Sequence, residues 1–126
     1  MTMGTSKLCI IVCANSLSEL VVREALKELG NDVALCPLSM DATGVENVKD
    51  AITKAKYVMV VDSCSDECGK KRAEALRIHY DEHLNLEEEL GIKMPCYRNP
   101  AIEVVDDVGL AAAHLVERVK EVLEKL

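Results

Sequence analysis

Along the chain, short unbroken apolar runs alternate with stretches whose apolar residues return every three or four positions. The first pattern predicts buried strands and the second amphipathic helices. Residues 1–6 read as a loose tail. Lys7 to Cys13 (Lys-Leu-Cys-Ile-Ile-Val-Cys) is an apolar run suited to a strand covered on both faces. Ala14-Asn15 turns the chain, and Ser16-Leu17-Ser18-Glu19 fits a capping box that opens a helix with Leu17, Leu20, Val21, Ala25 and Leu29 on one side. Gly30 closes that helix. A second strand is expected over Asp32 to Cys36, stopped by Pro37, with Leu38 to Asp41 as a loop. Thr43-Gly44-Val45-Glu46 repeats the capping signal, before Val45, Val48, Ala51, Ile52 and Ala55.

Tyr57 to Val61 forms the third strand and runs into Asp62-Ser63-Cys64-Ser65-Asp66-Glu67-Cys68. The pattern of Ala73, Leu76 and His79 or Tyr80 predicts a helix from about Asp66 to about His79, with Ser65 as N-cap. His83 to Leu86 is a weakly marked fourth strand, and Glu87 to Asn99, broken by Gly91, Pro95 and Pro100, is mostly irregular. Ala101 to Val105 reads as a short edge strand. From Asp107 a last helix carries Val108, Ala111, Leu115, Val119, Val122 and Leu126 on one side.

Strand and helix alternating in this way define an α/β fold. The expected form is a three-layer α/β/α sandwich on a mostly parallel, Rossmann-like, doubly wound sheet of about four strands. Crossovers in such a sheet are right-handed. Residues 1–126 read as one domain, without repeat or linker.

Composition narrows the chemistry. Phe and Trp are missing, so Val, Leu, Ile, Ala and Met must build the core. The formal charge of -7 argues against a basic nucleic-acid-binding face. No apolar run is long enough to span a bilayer, and no targeting segment is recognisable, so a cytoplasmic location is expected. Cysteines there stay reduced, and six of them suggest metal or redox chemistry over a disulfide framework.

Their placement sharpens this. Cys13 ends the first predicted strand, Cys36 the second, Cys64 follows the third by a few residues, and Cys68 opens the next helix. In an open parallel sheet the carboxyl ends of the strands share one edge, and ligands bind where strand order reverses. The four thiols are therefore expected to converge, each close to a helix N-terminus that favours thiolate. Four thiolates suit tetrahedral Zn²⁺, with Zn–S near ~2.3 Å. They also suit an iron–sulfur cluster. Cys9 reads as a core residue, and Cys96 as an ordinary loop thiol.

The remaining candidates have plainer readings. His79 and His83 are four apart, but the Glu of a zincin helix does not follow His79, so both read as surface histidines, as does His114. Asp62 and Asp66 flank the thiols, either as partners and proton acceptors for them or as ordinary strand-end and helix-start acids. Lys70, Lys71 and Arg72 read as a solvated helix face that would ease an anionic site. A Cys-x5-Arg phosphatase loop is ruled out, since Glu19 and Lys70 stand at the Arg position. Gly-rich phosphate loops and Cys-x-x-Cys are absent.

With Cys13, Cys36, Asp62-Ser63-Cys64 and Cys68 in place, the chain resembles the DGC-domain family, described as zinc-binding. That family carries a cysteine after each of its first two strands. Its central Asp-Gly-Cys is followed by another cysteine and paired lysines, here Cys68 and Lys70-Lys71. Gly91-Ile92-Lys93 resembles a further family segment, so the likeness covers roughly residues 8–93. It implies Cys13, Cys36, Cys64 and Cys68 as the zinc ligands. Ser63 stands where the family has Gly, and Ala14-Asn15 where it tends to have Ser-Gly.

Three functions follow. The first is a zinc protein holding the ion on Cys13, Cys36, Cys64 and Cys68, with an iron–sulfur cluster as the other metal reading. The second is a thiol redox or sulfur-transfer enzyme using Cys64 and Cys68. The third is an interaction module whose cysteines are merely buried. The sequence leaves open whether the protein is an enzyme, and it identifies no protein partner.

Overall fold

The computed structural model describes residues 7–14, 16–39, 42–63, 65–91 and 103–126. Four parallel strands form one sheet: β1 (Leu8–Cys13), β2 (Val33–Leu38), β3 (Tyr57–Asp62) and β4 (Glu82–Asn85), in the order β2-β1-β3-β4. Among the described residues five α-helices accompany them: α1 (Leu17–Leu29), α2 (Ala42–Lys54), α3 (Cys68–Ala75), α4 (Leu86–Leu90) and α5 (Glu103–Lys125). The expected α/β fold with a parallel sheet is present.

Each strand's alternation divides the core in two. Leu8, Ile10 and Val12 of β1, with Met59 and Val61 of β3 and Leu84 of β4, pack against Leu17, Val21 and Val22 of α1 and Ala111, Leu115 and Val119 of α5. Cys9 and Ile11 of β1, Cys36 and Leu38 of β2 and Val58 and Val60 of β3 face Val48 of α2 and Ala73 of α3. Period-two alternation thus sends neighbouring residues to opposite layers. β1 is buried at every position, as its unbroken apolar run requires.

Several local expectations hold. Ser16 Oγ accepts from the Glu19 N–H at 3.3 Å and donates to the Cys13 carbonyl at 2.5 Å, so one side chain caps α1 and ties it to the end of β1. Gly30 follows α1 at φ 71°, its N–H donating to the Leu26 carbonyl.

Others are corrected. β2 does not stop at Pro37 but continues to Leu38, with Val12 opposite Pro37 and Cys13 opposite Leu38. The reason is that β2 is an edge strand, and proline's missing N–H is tolerated there. α3 is shorter than expected at both ends: it starts at Cys68 rather than near Asp66, and Arg77, at φ 58°, turns the chain away after it. Residues 103–105 belong to α5, not to an edge strand, while 101–102 lie outside the described residues. Leu86 opens α4 rather than ending a strand, because the Asn85 side chain accepts from the Glu88 N–H at 3.1 Å. Leu20 and Leu126 are exposed rather than core-facing. The expected tail, residues 1–6, lies outside the described residues.

Candidate functional site

β1 is paired with β2 on one side and β3 on the other, so strand order reverses between β1 and β3. The β1–β3 ladder ends at the Ile11–Val60 pair, while β1 goes on to Cys13 and β3 to Asp62. The carboxyl ends of these two strands therefore border the crevice where an open α/β sheet binds ligands. Cys13 and Asp62 have the strand parity of Ile11 and Val60, which puts them on the α2/α3 side.

Asp62 organises this edge. The residue is 3 % exposed. Oδ1 accepts from the Gly69 N–H at 2.8 Å and Oδ2 from the Lys70 N–H at 3.1 Å. Those are two of the N–H groups that the first turn of α3 cannot satisfy internally. Glu67, the residue at the N-cap position, offers no side-chain cap of its own. The acid at the end of β3 thus caps a helix six residues further on, and its charge faces the positive end of the helix dipole. Ser65 and Asp66, expected to begin the helix, are instead exposed turn residues. Gly69 is required by the closeness of this cap, since a Cβ there would lie 2.9 Å from Asp62 Oδ1.

β4 supplies the other half of the framework. In its register His83 lies beside Val60 and Asn85 beside Asp62, so both share the α3 side of the sheet. His83 Nε2 is 2.9 Å from Asp62 Oδ2, and Nδ1 is 3.8 Å from Glu67 Oε2. Asn85 Nδ2 donates to Glu67 Oε2 at 3.1 Å. With a side chain only 15 % exposed, His83 is not the surface histidine its sequence context suggests. His79 is exposed, and His114 sits on the surface paired with Glu89 at 3.0 Å.

The cysteines fall as follows. Cys13 ends β1 and is buried. Arg72 Nη1 of α3 approaches its Sγ to 3.0 Å, so Arg72 is not part of a solvated helix face. Cys68 is the first residue of α3, half-buried, and four residues before Arg72. That spacing stacks Cys68 and Arg72 on the same side of the helix, one turn apart. Cys36 lies inside β2 opposite Ile11, two residues short of the strand end, and is joined in a disulfide to Cys9. Cys9 is core, as expected, but it is bonded, against the expectation of reduced cysteines. Cys64 and Cys96 lie outside the described residues. Among the described residues, no group of three or more His, Cys, Asp or Glu is arranged to hold a metal ion.

This is an α/β protein built on a four-stranded parallel sheet whose strand order reverses between β1 and β3. The chain belongs to the DGC-domain family, whose model matches residues 10–116, from β1 into α5 and past the 8–93 span of the motifs. No curated protein and no solved structure matches it. No described helix is long and apolar enough to cross a membrane.

Proposed function

We propose that this protein binds zinc through Cys13, Cys36, Cys64 and Cys68, at the sheet edge where β1 and β3 part. The carrying observation is the 3.0 Å approach of Arg72 Nη1 to Cys13 Sγ. It ties the end of β1 to α3, the helix that Cys68 opens one turn before Arg72. A guanidinium there is suited to offset the negative charge that four thiolates leave around a divalent ion. The chemistry of the donors fits as well: soft sulfur ligands in a partly buried edge favour zinc over hard cations. Family membership supports the same reading through the zinc binding attributed to that family. Bound by four thiolates, zinc would act as a structural crosslink, holding the loops after β1 and β3 to β2.

Elemental analysis of freshly purified, fully reduced protein tests this. One zinc per chain, lost on Cys64→Ser and on Cys13→Ser, is the expected result. A metal-free protein whose thiols all react would refute it. Visible absorption in anaerobically prepared protein would replace zinc by an iron–sulfur cluster.

A further inference from the structure

We infer that Cys9 is a redox partner for Cys36 and that their disulfide withdraws Cys36 from the thiol cluster; this rests on the zinc reading above. In the parallel register Cys36 stands opposite Ile11, with Cys9 and Cys13 two residues to either side on β1. All four share the α2/α3 side of the sheet by strand parity. Two residues of strand span roughly 6.6 Å. Cys36 is thus flanked by one thiol toward the interior and one at the edge, and a change of χ1 rotamer selects the direction in which its sulfur leans. In the structure it is bonded inward, to Cys9, across a Cα separation of 6.6 Å. Bonded that way, Cys36 has no thiolate to give a metal ion.

Access and chemistry are consistent with a reversible pair. Cys9 and Cys36 are 1 % and 5 % exposed, so reagents reach them through local opening. β2 is an edge strand paired only with β1 and contains Pro37, which has no N–H to give to a ladder, so it can open without breaking the pairing of β3 or β4. With a low-molecular-weight disulfide as oxidant, the Cys36 thiolate attacks one oxidant sulfur. A mixed disulfide forms and one small thiol leaves. The Cys9 thiolate then attacks the Cys36 sulfur and releases the second small thiol. Two protein thiols are oxidised, giving up two electrons and two protons, and one oxidant disulfide is reduced to two thiols.

The test uses the full chain, reduced, loaded with zinc, then treated with glutathione disulfide. Zinc in the reduced protein decides the metal reading by itself; the response to oxidant decides the pair. The expected result is zinc release together with a crosslink between the tryptic peptides spanning 8–23 and 28–49. Because the first peptide holds both Cys9 and Cys13, fragmentation must place the bond on Cys9. Cys9→Ala should bind zinc when reduced and keep it under the same oxidant. A Cys9–Cys36 crosslink that forms while zinc stays bound would overturn the coupling. A crosslink elsewhere, or none, would overturn the pair, and this holds even for protein that never bound zinc.

Discussion

Replacing Asp62 with Asn removes a charge but little volume, and so isolates what the carboxylate does for α3. Asp62 is 3 % exposed and accepts from two backbone N–H groups of the helix start, at 2.8 and 3.1 Å, while facing His83 Nε2 at 2.9 Å. Hydrogen bonds to a charged acceptor contribute about 1.5–3 kcal/mol each. An asparagine keeps one oxygen and so one of the two bonds to the helix; its amide group meets the other N–H as donor against donor. One charge-assisted bond is lost and one buried N–H is left unmatched, a cost of about 3 kcal/mol. Against a total stability of about 5–15 kcal/mol this is a large fraction. With a urea slope of about 2 kcal/mol/M, the midpoint should fall by about 1.5 M. Reductant and chelator in the buffer keep the disulfide and any metal out of the measurement. Asp66→Asn, at an exposed turn position two residues before α3, serves as control and should leave the midpoint unmoved. If Asp62→Asn unfolds with the wild-type midpoint, the remote cap is wrong.

Gly69→Ala should destabilise the protein by about 1–3 kcal/mol through overpacking, even though alanine is the better helix former by about 1 kcal/mol. The reason is the 2.9 Å approach to an Asp62 oxygen pinned by the Gly69 N–H; a higher melting temperature for the variant would contradict it. At the opposite sheet edge, the Tyr57 phenol donates to Glu82 Oε1 at 2.7 Å, and burial first, then the Glu82 hydrogen bond and charge, push its pKa up to about 12 from 10.0. The folded state holds this proton more tightly than the unfolded chain does. Its contribution to stability is therefore complete below pH 10 and lost as the pH climbs from 10 to 12. Tyr57→Phe should flatten that part of the urea-midpoint profile, and parallel wild-type and variant profiles across the window would rule it out.

Patterns that act within an element were legible in the sequence. The unbroken apolar runs over Leu8–Cys13 and Tyr57–Val61 mark two strands that the structure keeps and, with the helices between strands, a parallel sheet. Ser16 and Gly30 bound α1 by short-range chemistry, and they stand where the sequence put them. What escaped depends on neighbours distant in the chain. Pro37 reads as a stop until β2 is known to be an edge strand; then the strand runs on, and Cys36 falls short of the strand end. Arg72 looks like one of three solvated cations because nothing local marks the partner 59 residues away. His83 becomes half of a partly buried pair only through the β3–β4 register. Asn85-x-x-Glu88 is a local signal for α4, of the same kind as the Ser16 cap, but it stands in a weakly patterned stretch.

The loop that carries Cys64 is held at both ends by β4, a strand without a cysteine. At its start, Asp62 spans from β3 to α3 and is braced by His83. At its end, Glu67 adopts the left-handed conformation at φ 51°. For a residue with a side chain this costs roughly 1–2 kcal/mol. The same residue's carboxylate accepts from Asn85 and faces His83, contacts that offset the backbone cost. Among the described residues of this turn, the positive φ falls on Glu67 and not on Ser63. Ser63 stands where the family motif has glycine, yet its backbone stays outside the left-handed region and the residue is 2 % exposed. Freedom of φ is thus not what position 63 supplies in this chain. The two ends of this loop rest on two acids and their partners on β4, and the acid of the Asp-x-Cys motif is the first of them.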